Sequence, residues 1–314
     1  MVVFFAAERV VLFIISTLAV VDLALIVRSD ISVDWLNYLI SIAIGLSLLG
    51  VGQVYRTRRP DRRLAAALIA SGLFILFSIV GSVFNYMFLP ITGQPIDPLL
   101  IRIDAALGYE WRRTVMLAAH YPLIGTLLFA VYATSLPQML LIILMLGFGG
   151  EQSRLHHFML VGTLGALASI AFWIVFPTYG AKAYYDLPEW VVSAIPLAVD
   201  PAYGAELMRL GREGVQFLTP KDVLGLIGFP SFHIVMAAMS VYFAPRNHAI
   251  RTTLYALNVL MLPAVLVQGG HHLTDVVGGL ALFAVVCPLS SVLLGWLGRG
   301  ERPDAQACRH AVDC

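Results

Sequence analysis

The stretch "VLMLPAVLVQGGHHLTDVVGGLALFAVV" (residues 259–286) places two histidines, a threonine and an aspartate between two apolar runs. Each run extends far enough to continue as a membrane helix, because a helix crosses the hydrocarbon core in roughly 20 residues. Polar groups between two such runs lie where one helix ends and the next begins. The stretch therefore predicts two membrane spans joined at a polar site.

The rest of the chain repeats this pattern. Its 314 residues are 59% hydrophobic and 12% charged, which is about half the charged fraction of an average soluble domain. The net charge of +1 gives no indication of nucleic-acid binding. We predict an all-α, polytopic membrane bundle of about eight spans, with the first retained as a helix and not cleaved as a signal peptide. The predicted spans lie near 10–28, 35–55, 64–89, 122–148, 158–177, 231–245, 252–269 and 275–297.

Arginine placement predicts the orientation of the bundle. The segment "RTRRPDRR" (56–63) carries five arginines between the second and third spans, and such loops are cytoplasmic. Both termini are then cytoplasmic, and the long loops 90–121 and 178–230 lie on the outer side. In the first loop, Leu99, Leu100, Ile103 and Leu107 have helical spacing, which predicts an amphipathic helix lying on the membrane. "HYP" (120–122) marks the point where this segment turns into the fourth span, since proline suits the first turn of a helix.

Three polar clusters fall on the outer side, each at the end of a span. They are "FPTYGAKAYYD" (176–186), "GFPSFH" (228–233) and the opening stretch. Ser231 is expected at the N-cap or in the first turn of the sixth span. The free backbone N–H groups there can hold an anion, and His233 lies in the same turn.

His271 and Asp275 stand at positions i and i+4, which would place them on one helical face. A carboxylate so placed accepts the N–H of one ring nitrogen and leaves the other nitrogen free to attack. His272 would point about 100° away on the same helix. Each residue alone fits an interfacial or capping role, but together at membrane depth they indicate a functional site. By the same cost argument, Asp22 in the first span is expected to have a structural role or to make an interhelical hydrogen bond, although no pattern in the sequence identifies a partner.

Two other kinds of site use the same residues. His233, His271 or His272, and Asp275 form a chemically reasonable zinc ligand set. A lipid carrier or transporter could instead use the cluster to hold a head-group phosphate without catalysis, although inverted repeats and broken helices are not evident in the sequence.

These motifs resemble a known family. "PSFH" followed about forty residues later by "HHLTD" is similar to the second and third signatures, P-S-G-H and S-R-x5-H-x3-D, of the type 2 phosphatidic acid phosphatase superfamily. "FPSFH" and "GGHHLTDVVGG" look most like the branch that contains inositol phosphorylceramide synthase and its bacterial relatives. "DPLLIRIDAALGYEW" (97–111) and "YATSLPQ" (132–138) are similar to upstream segments of those relatives.

The resemblance implies a six-helix core over 64–297, two additional N-terminal helices in 1–63 and a cytoplasmic polar tail at 298–314. It also implies that His271 is a nucleophile forming a phosphohistidine, that Asp275 orients it, and that His233 moves the proton of the leaving and incoming oxygens. Ser231 would bind phosphoryl oxygens. No cofactor or metal is implied.

Two departures bear on the substrate. The arginine expected six positions before the nucleophile is Val265, and the K-x6-R-P signature is absent. The missing cations weaken electrostatic stabilisation of phosphoryl oxygens, which favours a phosphodiester over a phosphomonoester. The groups expected to compensate as phosphate or substrate ligands are Lys182, Tyr184, Tyr185, Gln268 and His272.

The expected function is therefore that of a lipid phosphatase or phosphotransferase in the membrane, which transfers the phosphoryl or phospho-head group to water or to a lipid or polyol hydroxyl. A plain phosphatase for phosphatidic acid or isoprenyl phosphates is the alternative. The expected location is a bacterial cytoplasmic membrane, with the active site on the periplasmic face and no nucleic-acid partner. The sequence leaves the oligomeric state open.

Overall fold

A computed structural model of the protein describes residues 4–59 and 61–299. The chain there is almost entirely helical, apart from two short strands, β1 (Ser32–Val33) and β2 (Phe217–Leu218), and a 3-10 turn at Ala181–Ala183. The helices are α1 (Ala6–Val27), α2 (Trp35–Thr57), α3 (Arg62–Tyr86), α4 (Asp97–Ala106), α5 (Trp111–His120), α6 (Pro122–Ala133), α7 (Ser135–Phe148), α8 (Gln152–Val175), α9 (Glu189–Ala194), α10 (Pro201–Glu213), α11 (Phe232–Tyr242), α12 (His248–Gln268) and α13 (Leu273–Arg299).

Six of the described helices are long and apolar enough to cross a membrane, namely α1, α2, α3, α8, α12 and α13. Two shorter apolar helices, α7 and α11, accompany them. These helices confirm the predicted all-α polytopic membrane bundle. The predicted fourth span is interrupted, because α6 ends at Ala133 and α7 begins at Ser135. The helix α13 runs to Arg299, so the first two residues of the predicted tail are helical, and 300–314 lie outside the described residues.

The chain bends sharply where "HYP" predicts a turn. The axes of α5 and α6 differ by 116° across Tyr121, and Pro122 occupies the first turn of α6. Proline is suited to that position because its missing N–H would have no partner there. The bend confirms that a separate helix precedes the fourth apolar segment.

The helix α3 is at the centre of the bundle and packs against α1, α2, α7 and α8. Its contact with α2 is close, since a Cβ atom added at Gly72 would lie 2.8 Å from the carbonyl oxygen of Gly45. A Cβ atom at Gly147 of α7 would similarly meet Ala67 at 2.7 Å. Small residues allow membrane helices to approach this closely.

The loops that were predicted to share the outer side lie together at one end of the bundle. Strand β1, between α1 and α2, pairs in parallel with β2 of the long 178–230 loop. The Thr219 hydroxyl also donates a hydrogen bond of 2.9 Å to Asp34. These contacts place the two loops at the same end of the molecule.

The helix α4 directs its acidic side chains toward the interior of the protein. Asp97 is fully buried and Asp104 is 3% exposed, while Leu99, Ile103 and Leu107 are exposed. The predicted helix is present, but Leu100 belongs to the buried face and not to the outward apolar face. The side expected to be polar and solvated is directed inward because its carboxylates have partners in the site described below.

Asp22 differs from expectation. It is 4% exposed in α1, and neither carboxylate oxygen has a hydrogen-bond partner among the described residues. The predicted interhelical hydrogen bond is therefore wrong for this structure.

Candidate active site

The centre of the site is the turn between α12 and α13. Nδ1 of His271 lies 2.9 Å from Oδ2 of Asp275, and the same oxygen accepts the backbone N–H of His272 at 2.9 Å. The helix begins only at Leu273, so the predicted helical face is wrong, although the pair forms. Asp275 sits at the third helical position and reaches back to the residue before the helix, as in one half of a capping box.

Gly270 permits this turn. Its φ is +64°, a conformation that costs most other residues free energy because of their Cβ atom. A Cβ atom there would also lie 2.6 Å from Cβ of Lys182. The glycine therefore allows the turn before His271 to pass closely beside the Lys182 segment.

The two ring nitrogens of His271 have different neighbours. Nδ1 faces the Asp275 carboxylate, and Nε2 faces the Ser231 hydroxyl. His271 is 3% exposed, and burial lowers its pKa despite the opposing hydrogen bond from Asp275. A neutral ring that donates Nδ1–H to Asp275 keeps a lone pair on Nε2. The Ser231 hydroxyl lies 3.4 Å from Nε2 and can donate to it. This tautomer is the one required of a nucleophile.

A cavity of about 210 Å³ beside the His271–Asp275 pair is lined by both His271 and His233. Their ring centroids are 6.1 Å apart. His233 lies in the first turn of α11, whose N-cap is Ser231 as predicted, and it stacks on Tyr132 at 4.6 Å. The backbone N–H of Ser231 donates to the carbonyl oxygen of Asp275 at 3.1 Å, which fixes α11 against α13.

Lys182 enters the same cavity from the long outer loop. Its Nζ donates to the Gly269 carbonyl oxygen at 3.2 Å and lies 5.3 Å from the centre of the Tyr203 ring. Burial lowers its pKa to about 8, although Asp275 and Asp97 oppose the shift. A lysine with this pKa is mostly protonated at neutral pH and can attract an anion into the cavity.

Of the six sequence-predicted phosphate or substrate ligands, the five other than Lys182 lie outside the cavity lining. Ser231 is one of these five, although its hydroxyl is 3.4 Å from Nε2 of His271. The Gln268 amide is occupied by backbone groups, accepting from Ala198 N–H and donating to the carbonyl oxygens of Gly125 and Pro196. Tyr185 packs against the Trp111 ring at 6.2 Å. Tyr184 directs its hydroxyl to Asp97 at 3.5 Å.

His272 is turned away from the cavity into a pair of carboxylates. Its Nε2 lies 3.4 Å from Asp97 and its Nδ1 lies 3.3 Å from Asp104. Burial would lower its pKa, but the two hydrogen-bonded carboxylates prevail and raise it to about 9. Burial alone would raise the pKa of Asp104, yet its bonds to His272 and to backbone N–H groups lower it. The ring therefore lies between two carboxylates that favour its protonated form.

Asp97 and Asp104 also bind the backbone on both sides of the site. Asp97 accepts N–H groups of Tyr179 and Gly180, the latter at 2.8 Å. Asp104 accepts N–H groups of Leu273 and Thr274 at 2.9 and 3.0 Å. The spacing of this pair was a detectable pattern, because two acids seven residues apart share one helical face, but the role of the pair depends on the fold. Tyr132 and Tyr203 also line the cavity, but no pattern in the sequence indicated them.

Metal binding is not supported by this arrangement. Within 4–59 and 61–299, no group of three His, Cys, Asp or Glu side chains converges so that it could hold a metal ion. Of the side chains proposed as zinc ligands, His271 pairs with Asp275, and His272 lies between Asp97 and Asp104.

The fold and site together define an integral membrane protein with an enzyme-like histidine centre at one end of its helical bundle. A family model described as the PAP2 superfamily matches residues 98–289, and the chain belongs to that superfamily. This is the phosphatidic acid phosphatase superfamily that the motifs resemble. Membership indicates a membrane lipid phosphatase-type enzyme and a phosphorylated lipid substrate. No curated protein and no solved structure matched the chain.

Proposed function

We propose that this protein cleaves a lipid phosphoester through a phosphohistidine at His271 and transfers the phosphoryl or phospho-head group to a hydroxyl acceptor or to water. The observation that carries the proposal is the pairing of His271 Nδ1 with Asp275 at 2.9 Å, at a cavity that His271 and His233 both line. A nucleophile, an orienting carboxylate and a second imidazole are the groups that this two-step reaction needs.

In the first step, Nε2 of His271 attacks phosphorus while the phosphorus–oxygen bond to the leaving group breaks. A protonated His233 gives its proton to the leaving oxygen. In the second step, neutral His233 takes the proton of the acceptor hydroxyl or water. The acceptor oxygen then forms its bond to phosphorus, and the phosphorus–nitrogen bond to His271 breaks. Asp275 holds Nδ1–H throughout and stabilises the positive charge that develops on the ring.

Ser231 and Lys182 are the proposed ligands of the phosphoryl oxygens. The Ser231 hydroxyl lies 3.4 Å from Nε2 of His271, and Lys182 is the one cationic side chain among the residues lining the cavity. Val265, in place of the expected arginine, is fully buried in an apolar cluster. A single lysine matches one negative charge better than two. This supports a phosphodiester substrate, and hence the inositol phosphorylceramide synthase-like branch over a plain phosphatase.

The proposed setting is a bacterial cytoplasmic membrane with both termini inside and the site on the periplasmic face. The arginines of 56–63 support this orientation by the positive-inside rule. Cysteine-scanning with a membrane-impermeant thiol reagent on intact cells tests it: a cysteine at exposed Asp222 should react without permeabilisation, whereas one at exposed Arg58 should not. The reverse labelling would overturn the orientation.

The reaction is tested with purified protein in detergent micelles containing phosphatidic acid or phosphatidylinositol, with and without inositol or ceramide. Mass spectrometry follows the lipid products, and acid-labile, base-stable phosphate is sought on the protein. His271→Ala should abolish turnover and phosphoprotein, whereas the exposed His248→Ala should change neither. EDTA should leave the rate unchanged, because no step uses a metal.

The products discriminate the alternatives. A new phospholipid or phosphopolyol identifies a transferase, and inorganic phosphate alone identifies a phosphatase. Full turnover in His271→Ala would end the phosphohistidine mechanism. Movement of lipid across proteoliposomes without chemical change would favour a transporter.

A further inference from the structure

The cluster of Asp97, His272 and Asp104 lies beside the site but lines none of its cavity. All three side chains are at most 3% exposed, and none has a role in the two reaction steps. Two acids and a histidine buried beside a membrane enzyme's centre are costly unless they are paired. Their pairing is complete for His272, since each ring nitrogen faces a different carboxylate.

The cluster joins three separate parts of the chain. Through Asp97 it binds the backbone of Tyr179 and Gly180, three residues or fewer before Lys182. Through Asp104 it binds the first turn of α13, the turn that carries Asp275. His272 itself is the chain neighbour of the nucleophile. One helix, α4, thereby binds both the segment that carries Lys182 and the turn that carries His271.

The spacing of the acids explains how one helix reaches both. Asp97 and Asp104 are seven residues apart, so their side chains lie on one face, about 10 Å apart along the axis. The His272 imidazole lies between the two acids, with one ring nitrogen toward each, and spans part of that separation. The glycine turn at Gly270 then lets the Lys182 segment and the nucleophile turn touch, as in the hydrogen bond of 3.3 Å from Lys182 N–H to the Gly270 carbonyl oxygen.

We propose that Asp97, His272 and Asp104 are positioning residues that act as a charged clamp: a His272 imidazolium held between the two carboxylates fixes the His271 turn and the Lys182 segment at their working separation. The proposal rests on the proposed function for its catalytic readout. It assigns His272 a role through its neighbours and not through contact with phosphate.

The clamp has a predictable dependence on pH. The charged and titratable groups around His272 are Asp97 and Asp104 on α4, Asp275 on α13, and Lys182 and Tyr184 on the outer loop, with His271 preceding it in the chain. Three carboxylates face one imidazolium, which keeps the ring charged through neutral pH. The clamp should open as pH rises and the ring loses its second proton.

The first measurement is nitrogen NMR of protein labelled with 15N-histidine in nanodiscs, assigned with His272→Gln. At pH 7.5, His272 should show two protonated ring nitrogens, whereas His271 should show one. Asp104→Asn should shift the His272 titration to lower pH by at least one unit. This readout needs no turnover, so it tests the clamp even if the proposed reaction is wrong. A neutral His272 at pH 7.5 would overturn the inference.

The second measurement is steady-state kinetics on the lipid that the wild-type protein turns over. Asp104→Asn, which loosens the turn that carries His271, should lower kcat about 10- to 100-fold, the usual effect of losing an orienting partner, and leave KM within about 3-fold. Asp97→Asn, which loosens the segment that carries Lys182, should lower kcat/KM by a similar factor. Their alkaline limbs should move to lower pH. His272→Lys, which keeps a cation, should retain more kcat than His272→Gln. Exposed Glu213→Gln is the matched control with no expected change.

The outcomes separate the two proposals. Loss of kcat with unchanged KM and altered pH profile supports positioning. A rise in KM alone in Asp104→Asn would make His272 a substrate ligand and overturn the clamp, as would wild-type kinetics in both asparagine variants. Thermal unfolding in detergent checks that each variant is folded. If a variant unfolds, Asp104→Glu replaces it, and full activity with a neutral His272 in that protein would again overturn the proposal.

Discussion

Nδ1 of His271 and Oδ2 of Asp275 are 2.9 Å apart across the N-terminus of α13, and the same oxygen accepts the backbone N–H of His272. The carboxylate therefore fixes both the ring and the backbone of the turn. The pair forms because the helix starts two residues after His271, which lets Asp275 turn back toward the residues that precede it.

Replacing Asp275 with asparagine should reduce kcat by about 100- to 10,000-fold with little change in KM. The amide can donate to Nδ1 and so favours the wrong tautomer, with the proton on Nε2. Steady-state kinetics at neutral pH measures the effect. Asp61→Asn, which alters the N-cap of α3 outside the cavity lining, is the control. An Asp275→Asn enzyme with normal kcat would show that the carboxylate does not orient the nucleophile.

Deprotonation of Lys182 should determine the pH above which kcat/KM falls. Burial lowers its pKa to about 8, and the protonated form is the proposed phosphate ligand, so kcat/KM should fall as pH rises through about 8. Lys182→Arg should move this limb to higher pH, because the guanidinium stays charged. Lys182→Met should raise KM about 10- to 100-fold, the loss expected for a hydrogen bond to a charged group.

The control for Lys182 is Lys221→Met, which removes an exposed lysine from the same loop. Its pH profile should match that of the wild type. An unaltered alkaline limb in Lys182→Arg would show that another group controls it.

Gly270→Ala should impair both stability and turnover. The positive φ of Gly270 costs a non-glycine residue about 1–3 kcal/mol, and the new Cβ atom would meet Lys182 at 2.6 Å. Gly295→Ala in α13 is the matched control, since a Cβ atom there has no neighbour within 4 Å. Denaturation in detergent and kcat/KM measure the two effects. Equal behaviour of the two variants would contradict the close approach of the Lys182 segment.

A buried ion pair should stabilise the opposite end of the bundle. Arg56 of α2 donates two hydrogen bonds, of 2.6 and 2.8 Å, to Glu8 of α1, and both side chains are at most 10% exposed. Removing one partner leaves a buried charge, so Glu8→Gln or Arg56→Met should each cost about 3–5 kcal/mol of unfolding free energy. The double variant should lose less than the sum. Additive losses in chemical denaturation would contradict direct pairing.

Several features of the fold could be predicted because they depend on local composition. Long apolar runs required membrane helices, and proline at residue 122 marked the bend between α5 and α6. Ser231 was identified as a helix start from residue type alone. The helix register at His271 could not be predicted, because it depends on the positive φ of Gly270 and on capping by Asp275.

The sequence by itself determined the class of membrane fold, the helix ends that carry polar groups, and the pairing of His271 with Asp275, since hydropathy and short spacings act locally. The tertiary structure decided which groups share the cavity. It brought Lys182 beside His271 and turned His272 toward Asp97 and Asp104, which lie 175 and about 170 residues away along the chain. Such partners are selected by how helices pack and by the need to neutralise buried charge, which no local spacing encodes.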